Sequence, residues 1–188
     1  MKTFNIIISG TGGQGLITLL MIIAESAYLQ GFDIKTSELH GLSQRGGSVQ
    51  AHLRMGEKIY SPLVVKADLI ISLELLESLR VISYSDSKTR FLINHYSFPF
   101  AGTLSEEDIK KKIDKYIKGP KYLIPASDLC RDKLGKEVVS SIYLLGFAVF
   151  NKMIPLEPDI VEEAIKKVIP KKYLDINLKA FRLAKHDN

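Results

Sequence analysis

The chain has 188 residues, of which 46% are hydrophobic and 25% charged, and its formal net charge is +5. This composition predicts one globular domain and excludes a disordered chain; at this length folding buries about 70% of the surface that the unfolded chain exposes. A single cysteine excludes an internal disulfide, and with no signal peptide in the sequence we expect a reducing, cytoplasmic setting. No apolar run approaches the roughly 20 residues of a membrane span, so no membrane contact is expected.

Lysines are concentrated in the second half of the chain, for example in KKKIDKYIKGPK and IKKVIPKK. Both runs alternate with acidic or apolar residues at helical spacing, which is typical of a solvated helix face. An acidic partner protein or a phosphorylated ligand stays the alternative. No nucleic acid partner is expected, because aromatic side chains that could stack on bases do not interleave with the lysines.

The first 36 residues predict a strand, a glycine turn, a helix and a second strand. Residues 4–9 form an isoleucine-rich run bounded by glycine, typical of a strand buried on both faces. From 16 to 29 apolar residues recur every three or four positions, which predicts a helix against a sheet, and Gly31 ends it. Residues 32–36 predict the next strand. This order is the βαβ unit of an open α/β sheet.

Apolar and polar residues alternate from 48 to 55, and an extended piece follows at 58–60. We interpret the two as a hairpin that is antiparallel to its neighbours and solvated on one face. Further strands are predicted at 69–73, 90–94 and 122–125, and further helices at 75–84, 106–118, 127–134, 138–152, 158–168 and 173–185. The sequence therefore predicts one Rossmann-like α/β domain over residues 1–188. Its sheet is mostly parallel or mixed and flanked by helices, with an antiparallel hairpin and C-terminal helices.

The turn GTGGQG lies between the first strand and the first helix. Its glycines permit a tight turn and the close approach of a ligand, and the helix start offers free N–H donors to a phosphate. We therefore predict a ligand site at Gly10, Gly12, Gly13, Gln14 and Gly15. The alternative is that the glycines only allow close packing of the helix on the sheet.

The stretch SELHGLSQRGGSVQAHLR places polar residues densely among glycines. His40 is a candidate acid or base that Glu38 could orient, and Arg45 could clamp a carboxylate or phosphate. The candidate ligand-binding residues here are Glu38, His40, Gln44, Arg45, Gly46 and Gly47. A structural pairing of the histidine with the carboxylate is the alternative. Glu38 also lies where a dinucleotide-binding unit has its ribose-binding acid, but NAD is not favoured because no second half resembling a dehydrogenase domain follows.

No motif in the sequence carries redox or metal chemistry. There is no CxxC pair, no histidine cluster at ligand spacing, no nucleophile elbow and no Walker lysine. We therefore assign no metal site, and no catalytic residue beyond the candidates His40 and Arg45. A partner is expected to carry any cofactor.

Three segments, GTGGQG, SELHGLSQRGGSVQAHLR and IYSPLVVKADLIISLELLESLR, together resemble the gamma-type domain of 2-oxoacid:ferredoxin oxidoreductases. The closing stretch VIPKKYLDINLKAFRLA is similar to the beta chains of the indolepyruvate branch of that family. The resemblance covers residues 4–184, and the long central motif is more specific than the glycine turn. Alternatives are the corresponding subunit for pyruvate or a branched-chain 2-oxoacid, and a stand-alone nucleotide-binding module.

The resemblance implies a hetero-oligomer in which a larger alpha subunit holds thiamine diphosphate and iron–sulfur clusters, while this chain binds no cofactor alone. The implied reaction is oxidative decarboxylation of an arylpyruvate, with coenzyme A accepting the acyl group and ferredoxin the electrons. The resemblance further implies which residues lie at the subunit interface or near a coenzyme A phosphate. They are Gly12, Gly13, Gln14, Gly15, His40, Gln44, Arg45 and Gly46.

One position departs from the family pattern. The family usually has an asparagine where this chain has Ser141, just before IYLLG. An asparagine side chain can bridge two backbone groups that a serine reaches only in part. We expect the change to affect a local contact and not the fold.

Overall fold

A computed structural model describes residues 3–41, 46–97 and 104–186. The strands within these residues are β1 (Phe4–Thr11), β2 (Asp33–His40), β3 (Ser48–Gly56), β4 (Leu69–Ser72), β5 (Arg90–Asn94) and β6 (Lys121–Ile124). The helices are α1 (Leu16–Leu29), α2 (Leu75–Arg80), α3 (Glu106–Tyr116), α4 (Ala126–Leu134), α5 (Ser140–Phe150), α6 (Pro158–Val168) and α7 (Lys171–Leu183). Short 3₁₀ turns follow α2, α4 and α7.

The strands form one mixed sheet in the order β2-β3-β1-β4-β5-β6. The pairs β1–β4, β4–β5 and β5–β6 are parallel, whereas β3 is antiparallel to both of its neighbours. The predicted α/β class is confirmed, as are the parallel strands. Because β3 lies between them, β1 and β2 point the same way without pairing, so the predicted βαβ unit is split by an inserted strand.

The predicted hairpin has a different partner from the one inferred. β3 pairs with β2 from Asp33 opposite Gly56 to His40 opposite Val49, and residues 58–60 are not a strand. β2 is also longer than the predicted 32–36, so that Glu38 lies within a strand and does not open a loop. β2 is the exposed edge of the sheet, so most of its residues are polar and its sequence lacks the apolar pattern that predicts a strand.

The alternation predicts that one face of β3 is solvated, but in the structure that face is covered. His52 is 2% exposed, and its Nδ1 accepts a hydrogen bond of 3.0 Å from the backbone N–H of Val64. The ring of Tyr84 meets the imidazole edge-on, with 5.0 Å between the ring centroids. The segment after β3 therefore crosses this face and covers it.

Two helical layers bury the two faces of the sheet. On one side Ile6 and Ile8 of β1 pack with apolar residues of α1, α4, α5, α6 and α7. On the other side Ile7 and Ile70 pack with α2 and α3. The tightest helix contact is at Gly146 of α5, where an added Cβ would lie 2.3 Å from the carbonyl oxygen of Phe181 in α7. Glycine is therefore required there for close packing and not for its backbone conformation.

Local signals in the sequence explain several helix boundaries. The Ser105 side chain accepts a hydrogen bond from the Asp108 N–H, and acids occupy the first turn of α3, which stabilises the start of the helix. α6 begins at Pro158, whose missing N–H is harmless at the first helical position. Among the described residues, no helix is long and apolar enough to cross a membrane.

Candidate functional site

A cleft of about 420 Å³ opens at the carboxyl ends of the parallel strands. In open α/β sheets this edge is where ligands bind. The cleft is formed by the turn after β1, the ends of β4 and β5, and the starts of α4 and α5. Its lining residues are Thr11, Gly12, Gly13, Gln14, Gly46, Leu73, Asn94, Tyr96, Ser127, Glu137, Val138 and Ser140.

The glycine turn contributes backbone, not side-chain, groups to the cleft. Gly13 has a φ of 107° and Gly15 a φ of 79°, so both need the left-handed region that side chains disfavour. The turn is held from within, because Oε1 of Gln14 accepts a 2.8 Å hydrogen bond from the Thr11 N–H. Gly10 does not line the cleft; a Cβ there would be 2.8 Å from the same Gln14 oxygen.

The helix that follows the turn begins without a side-chain cap. Its N-cap is Gly15, and no acidic residue lies in the first turn of α1. The first N–H groups of a helix have no intrahelical acceptor, and the helix dipole adds partial positive charge there. Gly15 lies beside the cleft and is not part of its lining, so the start of α1 can accept a negative group at the margin of the cleft.

The second glycine-rich motif meets the first at this cleft. The Gly12 N–H donates to the Gly47 carbonyl oxygen at 2.9 Å, and the Gly46 N–H donates to the Gly12 carbonyl oxygen at 3.4 Å. The two motifs, which are more than 30 residues apart in the sequence, thus form one backbone surface. Gln44 and Arg45, predicted to face the same ligand, lie outside the described residues.

Glu38 and His40 are not in the cleft. Both lie on the exposed edge strand β2, and neither belongs to the cleft lining. His40 Nδ1 is 3.3 Å from the carbonyl oxygen of Gly41. A ligand-binding role for Glu38 or His40 stays a prediction.

A buried polar network that the sequence analysis missed forms the floor of the cleft. Asn94 is 2% exposed; its Nδ2 donates to Ser127 Oγ at 2.8 Å and to the Leu73 carbonyl at 3.2 Å. The Ser127 N–H returns a hydrogen bond of 3.2 Å to Asn94 Oδ1. Ser9 and Ser72 are joined beside it by a 3.0 Å bond between their hydroxyls. This network fixes the ends of neighbouring strands relative to α4.

The far side of the cleft carries Tyr96 and Glu137. Burial, together with the carboxylates of Glu137 and Glu74, raises the pKa of Tyr96 above its usual 10, so the phenol stays protonated at neutral pH. Glu137 is held by Arg131, whose Nη2 lies 2.6 Å from its carboxylate. The cleft is thus electropositive at the glycine turn and offers neutral and acidic groups at the opposite side.

Ser141 lies beside the glycine turn. Its Oγ would be 3.2 Å from a Cβ added at Gly15, so the start of α5 packs directly on the start of α1. A local contact at the position where the family usually has asparagine is therefore close to the cleft.

Residues 5–186 match the family described as pyruvate ferredoxin/flavodoxin oxidoreductase. The chain belongs to this family. The family inferred from the motifs is therefore confirmed. The chain is 33% identical to indolepyruvate oxidoreductase subunit IorB of Pyrococcus horikoshii, over 97% of this chain and 95% of that protein. It is 27% identical to the pyruvate/ketoisovalerate oxidoreductases common subunit gamma of Pyrococcus abyssi, over 93% of this chain and 91% of that protein.

A solved structure has the same fold. It is the 2-oxoglutarate:ferredoxin oxidoreductase from Magnetococcus marinus, with 2-oxoglutarate, coenzyme A and succinyl-CoA bound. The TM-score is 0.77 at 17% identity, and the match covers 98% of this chain and 31% of the longer chain. At this identity the likeness concerns the fold.

The residues of this chain do not fit an iron–sulfur cluster. Such clusters are held by four cysteine thiolates or a close variant, and the chain has one cysteine, Cys130. Cys130 is buried, and burial raises its pKa to about 12, which disfavours the thiolate that a metal needs. Within the described ranges, no three His, Cys, Asp or Glu side chains are grouped closely enough to hold a metal ion.

Proposed function

We propose that this chain is the cofactor-free subunit of an indolepyruvate:ferredoxin oxidoreductase. The observation that carries the proposal is the 33% identity to an indolepyruvate oxidoreductase subunit over nearly the whole of both chains. Identity to the gamma subunit for pyruvate and ketoisovalerate is lower, at 27%. The reaction is oxidative decarboxylation of an arylpyruvate: the acyl group is transferred to the thiol of coenzyme A, carbon dioxide is released, and the electrons pass to ferredoxin.

In this proposal a larger alpha subunit holds the cofactors. Thiamine diphosphate there supplies stabilisation of the carbanion formed on decarboxylation, and iron–sulfur clusters carry the electrons onward. The lone buried cysteine supports this division of labour, because it gives this chain no ligand set for a cluster. We place the complex in the cytoplasm, because its reducing conditions keep a cysteine in the thiol form.

The role that we propose for this chain is to hold coenzyme A in the cleft. The N–H groups of Gly13 and Gly15 and the uncapped start of α1 suit a phosphate of the coenzyme, and Arg45 would add a charge-assisted contact. The acidic Glu137 disfavours phosphate at the far side, so the uncharged part of the coenzyme lies there, beside Tyr96. A protonated Tyr96 can donate a hydrogen bond to it.

The proposal is tested by anaerobic co-expression with the larger subunit. Viologen reduction is measured with indolepyruvate and coenzyme A, with this chain present and absent, and then with pyruvate and ketoisovalerate in place of indolepyruvate. We expect activity only with both chains, and the highest kcat/KM with indolepyruvate. Preference for pyruvate or ketoisovalerate would reassign the substrate. Neither association nor activity, with a larger subunit shown to hold its cofactors, would leave a stand-alone nucleotide-binding module.

Replacing Arg45 tests the polar loop. We expect Arg45→Ala to lower turnover of the assembled enzyme and raise the KM for coenzyme A while the isolated chain stays folded. Loss of a charge-assisted hydrogen bond is worth about 1.5–3 kcal/mol, roughly ten- to over a hundredfold. Arg182→Ala is the matched control, because Arg182 pairs with Glu162 on the surface of α6 and α7. Equal activity in the two variants would assign the loop a structural role.

A further inference from the structure

A second concavity lies beside the cleft, between α1, α5 and α7. Its volume is about 540 Å³, and most of its lining is apolar. The residues that characterise this groove are Met21, Val138, Ile142, Ile169, Tyr173 and Ile176. Of these residues Val138 alone also lines the cleft, and the role proposed above for the cleft names none of them.

The rim of the groove exposes large apolar side chains to solvent. Met21 is 52% exposed, Val138 63% and Tyr173 51%, and Ile17, one turn before Met21 on α1, is 38% exposed. Scattered exposed apolar residues need no explanation, but a contiguous patch around a groove marks an interaction surface. A helix that lays its apolar face into a groove of this kind is a common mode of protein–protein recognition.

Lysines stand at the margin of the groove, and the acidic residues beside them, Glu137 and Asp175, are each paired with another cation, Arg131 and Lys179. Lys136 is the charged residue among those described in its lining. Lys171 and Lys172 open α7 between the lining residues Pro170 and Tyr173, and this helix has neither a side-chain cap nor an acid in its first turn. Lysines at a helix start interact unfavourably with the positive end of the helix dipole, which lowers the stability of α7. Carboxylates of a bound partner would offset this effect.

The groove is continuous with the cleft. Val138 lines both. Gly15 and Ser141 in the groove directly follow Gln14 and Ser140 in the cleft. A molecule bound in the groove therefore stands at the mouth of the cleft, where it can cover a bound ligand and exclude water from it.

We propose that the groove between α1, α5 and α7 is the docking surface for the larger subunit, which inserts an amphipathic segment bearing apolar side chains and carboxylates. This inference rests on the proposed function, because it assigns that partner a place on this chain. A second copy of the chain fits less well, since two copies meeting at this groove would oppose Lys136, Lys171 and Lys172 to the same lysines.

The test measures the dissociation constant of the complex between this chain and the cofactor-loaded larger subunit, by biolayer interferometry. We expect Met21→Glu and Tyr173→Glu each to weaken binding at least about tenfold, because buried aromatic and apolar anchors dominate interface energies. Lys136→Glu is expected to weaken binding and to make it less sensitive to salt. Neither Met21 nor Tyr173 lines the cleft.

Tyr116→Glu is the matched control. Tyr116 is 47% exposed and lies at the end of α3, on the opposite helical layer. The substitution therefore introduces the same charge at similar exposure, away from the groove. We expect it to bind like the wild type. Circular dichroism and thermal melting of each isolated variant verify folding, and light scattering of the isolated wild-type chain is expected to show a monomer.

Four results would overturn the inference. Wild-type affinity in both groove variants would do so while leaving the proposed function intact. Equal loss in Tyr116→Glu would show a non-specific effect of charge. A dimer of the isolated chain that Met21→Glu dissociates would assign the groove to a second copy. Failure of the wild-type chain to bind the larger subunit would instead overturn the proposed function together with this inference.

Discussion

Replacing Asn94 with alanine is expected to destabilise the chain by about 2–4 kcal/mol. The side chain makes three hydrogen bonds, of 2.8 Å to Ser127 Oγ, 3.2 Å to the Leu73 carbonyl and 3.2 Å from the Ser127 N–H. Three groups lose their partner, and each that stays unpaired costs about 1–3 kcal/mol; water entering from the adjacent cleft can pair with one of them, which brings the expected total to about 2–4 kcal/mol. For a chain of this size the melting temperature falls by about 2–4 °C per kcal/mol, so a decrease of about 4–16 °C is expected.

The assay is urea unfolding of the isolated chain, followed by circular dichroism and extrapolated to water. Asn151→Ala is the matched control, because Asn151 is exposed and its Nδ2 makes one hydrogen bond, of 3.0 Å, to the Phe147 carbonyl. The control is expected to lose less than about 1 kcal/mol. In the assembled enzyme Asn94→Ala should also raise the KM for coenzyme A, since the network sets the cleft floor. Equal unfolding free energies for the two variants would refute the reasoning.

Further predictions concern packing, a thiol and a histidine. Gly146→Ala should lower the unfolding free energy by about 1–3 kcal/mol or more, because its Cβ would lie 2.3 Å from the Phe181 carbonyl oxygen. Gly41→Ala is the control, because a Cβ at Gly41 has no neighbour within 4 Å. Thermal melting of the two variants compares their stabilities. Since burial raises the pKa of Cys130 to about 12, iodoacetamide should label it only as fast as the chain unfolds, and prompt labelling in native buffer would contradict its burial. Burial lowers the pKa of His52 below 6.5, so the unfolded state binds more protons and stability should fall as the pH drops below 6.5; urea titrations at several pH values should show a shallower fall for His52→Leu.

The apolar parallel strands were predictable, and the order of the sheet was not. β1, β4 and β5 are buried on both faces, so their isoleucine-rich and leucine-rich runs stand out in the sequence. The partner of β3 is chosen by contacts across the sheet, which no local pattern encodes. β2 is polar because one of its edges is unpaired, and for that reason its last four residues were taken for a loop.

At the candidate site, the backbone elements were predictable and the side-chain network was not. Glycines at Gly13 and Gly46 are visible in the sequence because few other residues tolerate those conformations. Asn94 could have been found, since it directly follows a buried run at the carboxyl end of a predicted parallel strand, where α/β sheets bind ligands. Tyr96 comes from an irregular loop and Glu137 from the short 3₁₀ turn after α4, for which periodicity gives no signal.

The position of β3 has a consequence for how the chain is made. When the ribosome has released only β1, α1 and β2, the place beside β1 is still empty, and the right-handed crossover favours direct pairing of β1 with β2. The β1–β2 pairing must either not form or come apart before β3 can insert between the two strands and pair with both. We expect the β2–β3 hairpin to form first, from neighbours in sequence, and to join β1 as a unit. A truncated chain ending at residue 41 would then hold the alternative sheet order.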